Sequence, residues 1–181
     1  MARIKIRTPD EMTQEQRRVY DDTVRGRRGR MPAPLAAWLE SPVLADRAQK
    51  LGEFVRYETS LPPRLSELAI LVVARHWTAQ FEWSAHKAEA LKAGLAQEII
   101  EDIAARRTPR FQHEDERAIY EFSASLNQRQ KVSDELYRAT AERIGLPGVV
   151  ELVGILGYYT LISMTLNAFE IEPEGHNPEL S

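Results

Sequence analysis

The sequence predicts an all-α fold in a single domain, and three observations predict it. Helix start and stop signals recur from Thr13 to Glu170. Strand-like alternation is confined to the short Arg3-Ile-Lys-Ile-Arg7 stretch. The 181 residues, 43% of them hydrophobic, suit one sizeable core, with no internal repeat, low-complexity tract or linker long enough to divide it.

Thr13 with Gln16 three residues on forms a capping box, and the helix it opens runs until Arg25-Gly-Arg-Arg-Gly-Arg30 breaks the pattern. Met31-Pro-Ala-Pro-Leu35 reads as a Pro-rich connection. Ser41 as N-cap and Pro42 at the first helical position open a helix carrying Leu44, Ala48, Leu51, Phe54 and Val55, which Leu61-Pro-Pro63 ends. The next, Arg64 to His76, is apolar on most of its surface and is expected at the centre of the core, although it carries Glu67 near its start. A turn near Arg75 to Ala79 lets the following helix, Thr78 to Ala93, fold back as an antiparallel hairpin that stops at Gly94. Then come a short segment from Leu95 to Ala105, a loop at Arg106-Arg-Thr-Pro109, and three helices: Glu114 to Ser125, Ser133 to Ile144 and Val149 to Glu170. Asn127 to Lys131 and Gly145-Leu-Pro-Gly148 separate these three, and Pro173 to Ser181 is expected to fray.

Composition removes several classes of function. A formal net charge of −3 gives no general affinity for polyanions. The Arg25 to Arg30 run is short and lacks interleaved aromatics, so no nucleic-acid partner is expected. The apolar stretch Gly154 to Ala168 is interrupted by Tyr, Thr, Ser and Asn, and no signal-like run follows the N-terminal charges, so the expectation is a cytoplasmic protein with no membrane partner. With no cysteine, a thiolate nucleophile, a redox pair and a cysteine metal site are all ruled out. Four scattered histidines without HExxH spacing give no expected metal.

The chemistry-bearing candidates sit on the hairpin. Glu82 and His86, four apart, share one helix face, and Glu67 on the preceding helix can reach His86 if the two pack antiparallel. An imidazole in an apolar pocket beside carboxylates can exchange protons near neutral pH. By itself, though, such a pair is commoner as a surface ion pair or a satisfied core histidine.

The run Leu65-Ser-Glu-Leu-Ala-Ile-Leu-Val-Val-Ala-Arg-His-Trp-Thr-Ala-Gln-Phe-Glu-Trp-Ser-Ala-His86, followed by Ala90-Leu-Lys-Ala-Gly94, resembles the core motif of the carboxymuconolactone decarboxylase family, within the AhpD-like superfamily. The resemblance covers Leu61 to Ile103, residues 1–40 read as an N-terminal extension of the domain, and Gly-Tyr-Tyr159 and Leu166-Asn-Ala-Phe169 resemble the family's last long helix. It implies an all-α domain that assembles into trimers or hexamers. The alkylhydroperoxidase branch places a C-x-x-C pair where this chain has Ala79 and Glu82, which excludes thiol peroxidase chemistry at those positions. The cysteine-less decarboxylase branch resembles it better. That branch needs no metal or organic cofactor and acts on a small lactone acid of aromatic catabolism, where loss of carbon dioxide leaves a dienolate to be protonated.

Carried onto this chain, the resemblance makes His86 the general acid, with Glu67 and Glu82 orienting it. A carboxylated substrate calls for a cationic anchor, for which Arg56 is the first choice, with Arg75, Arg64 and the Arg25 to Arg30 cluster as alternatives. His76, Trp83 and Tyr158 complete the candidate substrate-binding set. Trp83 is more naturally a core residue, His76 an exposed turn residue, and Tyr158 and Asn167 members of a mostly apolar last helix. The alternative is a non-catalytic, oligomeric small-molecule binding protein on the same scaffold. What separates the two is a closed pocket of roughly a few hundred Å³ lined by His86, against a pocket filled by Trp77, Trp83 or Phe81.

Overall fold

The computed structural model describes residues 2–173, 175 and 178–181, and among them every regular element is helical. After a 3₁₀ turn at Pro9–Glu11, the order is α1 (Gln14–Arg25), α2 (Ala33–Trp38), α3 (Pro42–Tyr57), α4 (Pro63–Trp77), α5 (Gln80–Lys92), α6 (Gln97–Ala104), α7 (Glu114–Arg129) and α8 (Asp134–Phe169).

The local signals act as their chemistry requires. Gln16 N–H donates to Thr13 Oγ1 at 3.3 Å while Thr13 N–H donates to Gln16 Oε1 at 2.9 Å, which satisfies donors that the first turn of α1 leaves open. Ser133 Oγ accepts from Leu136 N–H at 3.2 Å at the start of α8. Ser41 is the residue before α3 but makes no side-chain cap bond; there Pro42 starts the helix by its fixed φ. Gly94, at φ +88°, ends α5 in the left-handed region.

Four expectations are corrected. The Pro-rich segment after Met31 is not only a connection: α2 forms there, because Pro34 falls in the first turn, where a missing N–H costs nothing, and Leu35, Ala37 and Trp38 bury against the core. Helix α7 continues past Ser125 to Arg129. The expected break between the two final helices holds but is narrower: Gly145, at φ 73° and ψ 164°, is not helical and divides α8, while Leu146, Pro147 and Gly148 already belong to the second part. The end of the tail does not fray: Gln80 Nε2 donates to Leu180 O at 2.6 Å, Arg75 Nη2 to Ser181 O at 2.6 Å, and Leu180 is buried. Residues 174, 176 and 177 of that tail lie outside the described residues.

Helix α4 is the axis of the molecule. Every residue from Leu65 to Arg75 is buried, since α5, α7 and α8 all pack on it. Thr78, at φ 50°, turns the chain so that α5 returns along α4 after only two residues. Seven of its eight apolar side chains between Leu65 and Ala74 are at most 2% exposed, so the core holds α4 all round and allows little movement of anything attached to it.

Candidate active site

Near the start of α4, Glu67 points at α5, where Glu82 and His86 occupy successive turns. His86 Nδ1–H donates to Glu67 Oε2 at 2.6 Å, and Nε2 stands 2.9 Å from Glu82 Oε1. All three are buried, His86 at 4% exposure. Arg56 from the last turn of α3 brings Nη1 to 3.2 Å from His86 Nε2. The Tyr159 ring from α8 stands edge-on to the imidazole, with centroids 4.9 Å apart.

These contacts fix the electrostatics. Burial pulls the imidazole toward its neutral form, but the charge of Glu82 and the hydrogen bonds to Glu67 and Glu82 outweigh it and raise His86 from 6.5 to about 9. Burial also opposes the charge of Arg56, yet Tyr159, Glu67 and Tyr57 raise its pKa further and hold it as a guanidinium. Charged His86 donates through Nε2 to Glu82. Neutral His86, keeping its proton on Nδ1 for Glu67, can instead accept from Arg56. The same nitrogen therefore has a partner in each protonation state, which is what a group that releases and recovers a proton needs.

Beside it lies a cavity of about 160 Å³ lined by His86, Glu82, Arg56, Tyr158, Tyr159 and Phe81, with Arg28 and Arg30 closing one side. Its volume is below the roughly 300 Å³ at which drug-sized sites begin, so it suits a small ligand. Two of its polar groups are buried without hydrogen-bond partners among the described residues: Tyr158 Oη, and Arg28 through Nε and Nη2. Burial pushes the Tyr158 hydroxyl up to about 12, so it remains a donor at neutral pH. Unpaired buried donors are costly, and these two lie against Gly52 on residues that border the cavity.

Helix α3 makes room for this pair through Gly52. A Cβ there would stand 2.0 Å from Tyr158 Oη and 2.6 Å from Arg28 Nη2. Gly to Ala in a helix interior ordinarily stabilises by roughly 1 kcal/mol. Gly52→Ala is expected instead to destabilise by about 1–3 kcal/mol, because the Tyr158 ring is confined by Trp38 and Tyr159 and cannot retreat. Thermal denaturation would show a lower Tm, and an unchanged or higher Tm would mean that the ring has another place to go.

Of the sequence candidates, Glu67, Glu82, His86, Arg56 and Tyr158 meet at this site. Arg75 and His76 do not: two turns and more beyond Glu67 on α4, they line a different cavity at the hairpin turn. Trp83 is also displaced from the set, because at 1% exposure it is packed in the core and absent from this lining. Arg64 is engaged by Asp115 and Glu116. Within the arginine run, Arg25 pairs with Asp21 and Asp22, Arg27 lies 5.0 Å over the Tyr57 ring, and Arg28 and Arg30 reach the cavity. Tyr159 was missing from the candidate list; nothing in the spacing separates it from Tyr158. Both nitrogens of His86 are engaged, and among the described residues no cluster of His, Asp and Glu is arranged to hold a metal ion.

Residues 42–122 match the family model described as the Carboxymuconolactone decarboxylase family. That segment of the chain is similar to the carboxymuconolactone decarboxylase family. No curated protein matches the chain in a sequence comparison. The matched segment contains Arg56, Glu67, Glu82 and His86. Arg28, Arg30, Tyr158 and Tyr159, which also line the cavity, fall outside it.

Proposed function

We propose that the protein is a cofactor-independent decarboxylase or proton-transfer enzyme acting on a small carboxylated lactone or enolisable acid, with His86 as the general acid. The observation that carries this reading is the buried Glu67–His86–Glu82 triad opening on a cavity with unpaired cationic and hydroxyl donors. Arg28 and Tyr158 receive a carboxylate of the substrate. The carbon–carbon bond to a second carboxylate breaks, carbon dioxide leaves, and the electron pair enters the conjugated system as a dienolate. The proton on His86 Nε2 then forms the new C–H bond, and Arg56 donates to the nitrogen it vacates. In an isomerase the same proton would quench an enolate without loss of carbon dioxide. Purified protein incubated with 4-carboxymuconolactone, followed by absorbance and released carbon dioxide, tests the decarboxylase form. Absence of turnover would remove the namesake substrate.

An acid works only while protonated, so kcat/KM is expected to be level below about pH 9 and to fall above it, as His86 loses its proton. Stability follows the same window. A folded-state pKa raised above the ordinary 6.5 makes the contribution of His86 full below pH 6.5 and lost as pH rises through about 9. Integrated, it is on the order of 3 kcal/mol. A pH–rate profile with its descending limb near pH 7 would exclude the triad geometry as the working one.

The proposal includes assembly into a trimer or hexamer. Leu146, Val150, Val153, Leu161 and Met164 leave an exposed apolar stripe on α8, with open space over Gly157 in the same row. Val43, Leu44, Leu51 and Phe54 add exposed apolar positions on α3. Light scattering should give the mass of three or six chains, and a monomer would count against the assembly.

A further inference from the structure

The residues that the fold withheld from the His86 cavity gather elsewhere. At the turn end of the α4–α5 hairpin, α4, α6 and α7 enclose a cavity of about 410 Å³ that Arg75, His76, Arg106, Arg107, Tyr120 and Asn127 help to line. Among the described residues, no acidic residue lines it. Arg75 is 5% exposed, and Arg106 approaches from the loop after α6. Thr78 brings the two guanidinium groups together: its Oγ1 accepts from Arg75 Nη1 at 3.3 Å and from Arg106 Nη2 at 3.2 Å. Both Thr78, at φ 50°, and Arg106, at φ 57°, are held left-handed, a conformation that a β-branched threonine rarely adopts.

The charges here are poorly compensated. Among the described residues, Arg107 is paired with Asp102 at 2.8 Å, while neither Arg75 nor Arg106 has a side-chain carboxylate within ion-pair distance. Arg75 Nη2 donates to the Ser181 backbone oxygen at 2.6 Å, and its Nε is buried with no hydrogen-bond partner among the described residues. Burial and the charge of Arg106 both lower the pKa of Arg75, and the same two causes lower His76. Guanidinium groups gathered around a roomy cavity, with no side-chain carboxylate paired to Arg75 or Arg106 among the described residues, are a site for an anion.

We propose that this second cavity binds a small organic anion carrying a doubly charged oxyanion group, a phosphate monoester or a di- or tricarboxylate, held by the Arg75 and Arg106 guanidiniums. The ligand's charge supplements the Ser181 oxygen already bonded to Arg75, and His76 and Tyr120, which also line the cavity, can hydrogen-bond its remaining oxygens. This site is independent of the reaction assigned to the His86 cavity. It shares only α4 with it, Glu67 and Arg75 being about 12 Å apart along the helix axis.

Titration calorimetry at low ionic strength, with inorganic phosphate and separately with citrate, tests it on the wild-type protein, Arg106→Gln and Arg56→Gln. The expected result is one saturable site per chain, weakened at least tenfold by Arg106→Gln and unchanged by Arg56→Gln. Binding of phosphate alone would identify a phosphoryl ligand, and binding of citrate alone a polycarboxylate. In parallel, the His76 ring followed by NMR should titrate at higher pH when the anion is present, because a nearby negative charge favours the imidazolium. The proposal is overturned if neither anion saturates, if Arg106→Gln binds as tightly as wild type, or if Arg56→Gln abolishes binding, since that would place the anion beside His86. Arg106 is exposed and its variant is expected to fold, which a wild-type circular dichroism spectrum would verify.

Discussion

Replacing His86 by Ala is expected to lower kcat by about 10²–10⁴, the range over which a positioned general acid contributes. The loss should fall on kcat more than on KM, because the groups suited to hold a substrate carboxylate, Arg28 and Tyr158, are untouched. The variant also has a structural consequence that must be separated from the chemical one. Without the imidazole, Glu67 and Glu82 remain as two buried carboxylates that have lost their shared cation, which destabilises a fold by about 3–5 kcal/mol for a broken buried pair. His86→Gln is therefore the companion variant. Its amide keeps N–H donors for one carboxylate but cannot deliver a proton, so it should regain stability in urea unfolding without regaining turnover. Full turnover by either variant, in protein that is folded by circular dichroism, would remove His86 as the acid and leave the cavity to a binding role.

The second large effect is expected at Arg64, where the reaction is not directly involved. From the first turn of α4, Arg64 reaches α7, with Nη2 2.7 Å from Asp115 Oδ2 and Nη1 bonded to Glu116. The Glu116 side chain is 3% exposed, so Arg64→Met would strand a carboxylate in the interior. The expected cost is about 3 kcal/mol, at the low end for buried pairs because Arg64 and Asp115 keep partial contact with water. In urea the midpoint should fall while the slope stays constant. Adding Glu116→Leu should recover most of the loss, since removing both partners leaves no orphan charge. Equal instability in the single and double variants would mean that Arg64 acts through packing alone. Glu67 lies three residues after Arg64, so the anchor that holds the start of α4 also sets where Glu67 meets His86.

Much of the helical framework was legible because its signals are local. Thr13 with Gln16, Pro42, Pro63 and Ser133 each act within one helical turn, so the residues that start those helices are neighbours in the chain. The expected frayed tail failed for the opposite reason: Leu180 is ordered by Gln80, a hundred residues away, and no local pattern records such a bond. The Pro-rich segment after Met31 was misread because proline is tolerated in a first helical turn as well as in a connection, and only the core under Trp38 selects the helix.

Within the site the division is similar. Glu82 and His86 share a face by their spacing alone, and a two-residue turn suffices to bring Glu67 against them, so the triad was readable from one stretch of sequence. Which arginines face it was not. Arg56, Arg64 and Arg75 are equally cationic and close to the motif, yet packing sends the first to His86, the second to Asp115 and Glu116, and the third to the far end of α4. Arg28 and Tyr158 come together across 130 residues only because Gly52 leaves space for both. By itself, then, the sequence determined most of the helices, the resemblance to the family and the meeting of Glu67, Glu82 and His86, all set by contacts a few residues or one hairpin apart. The tertiary structure decided the cavity wall and the second arginine cluster, because side chains of the same charge are distinguished only by where the packing of α3, α4, α6 and α8 places them.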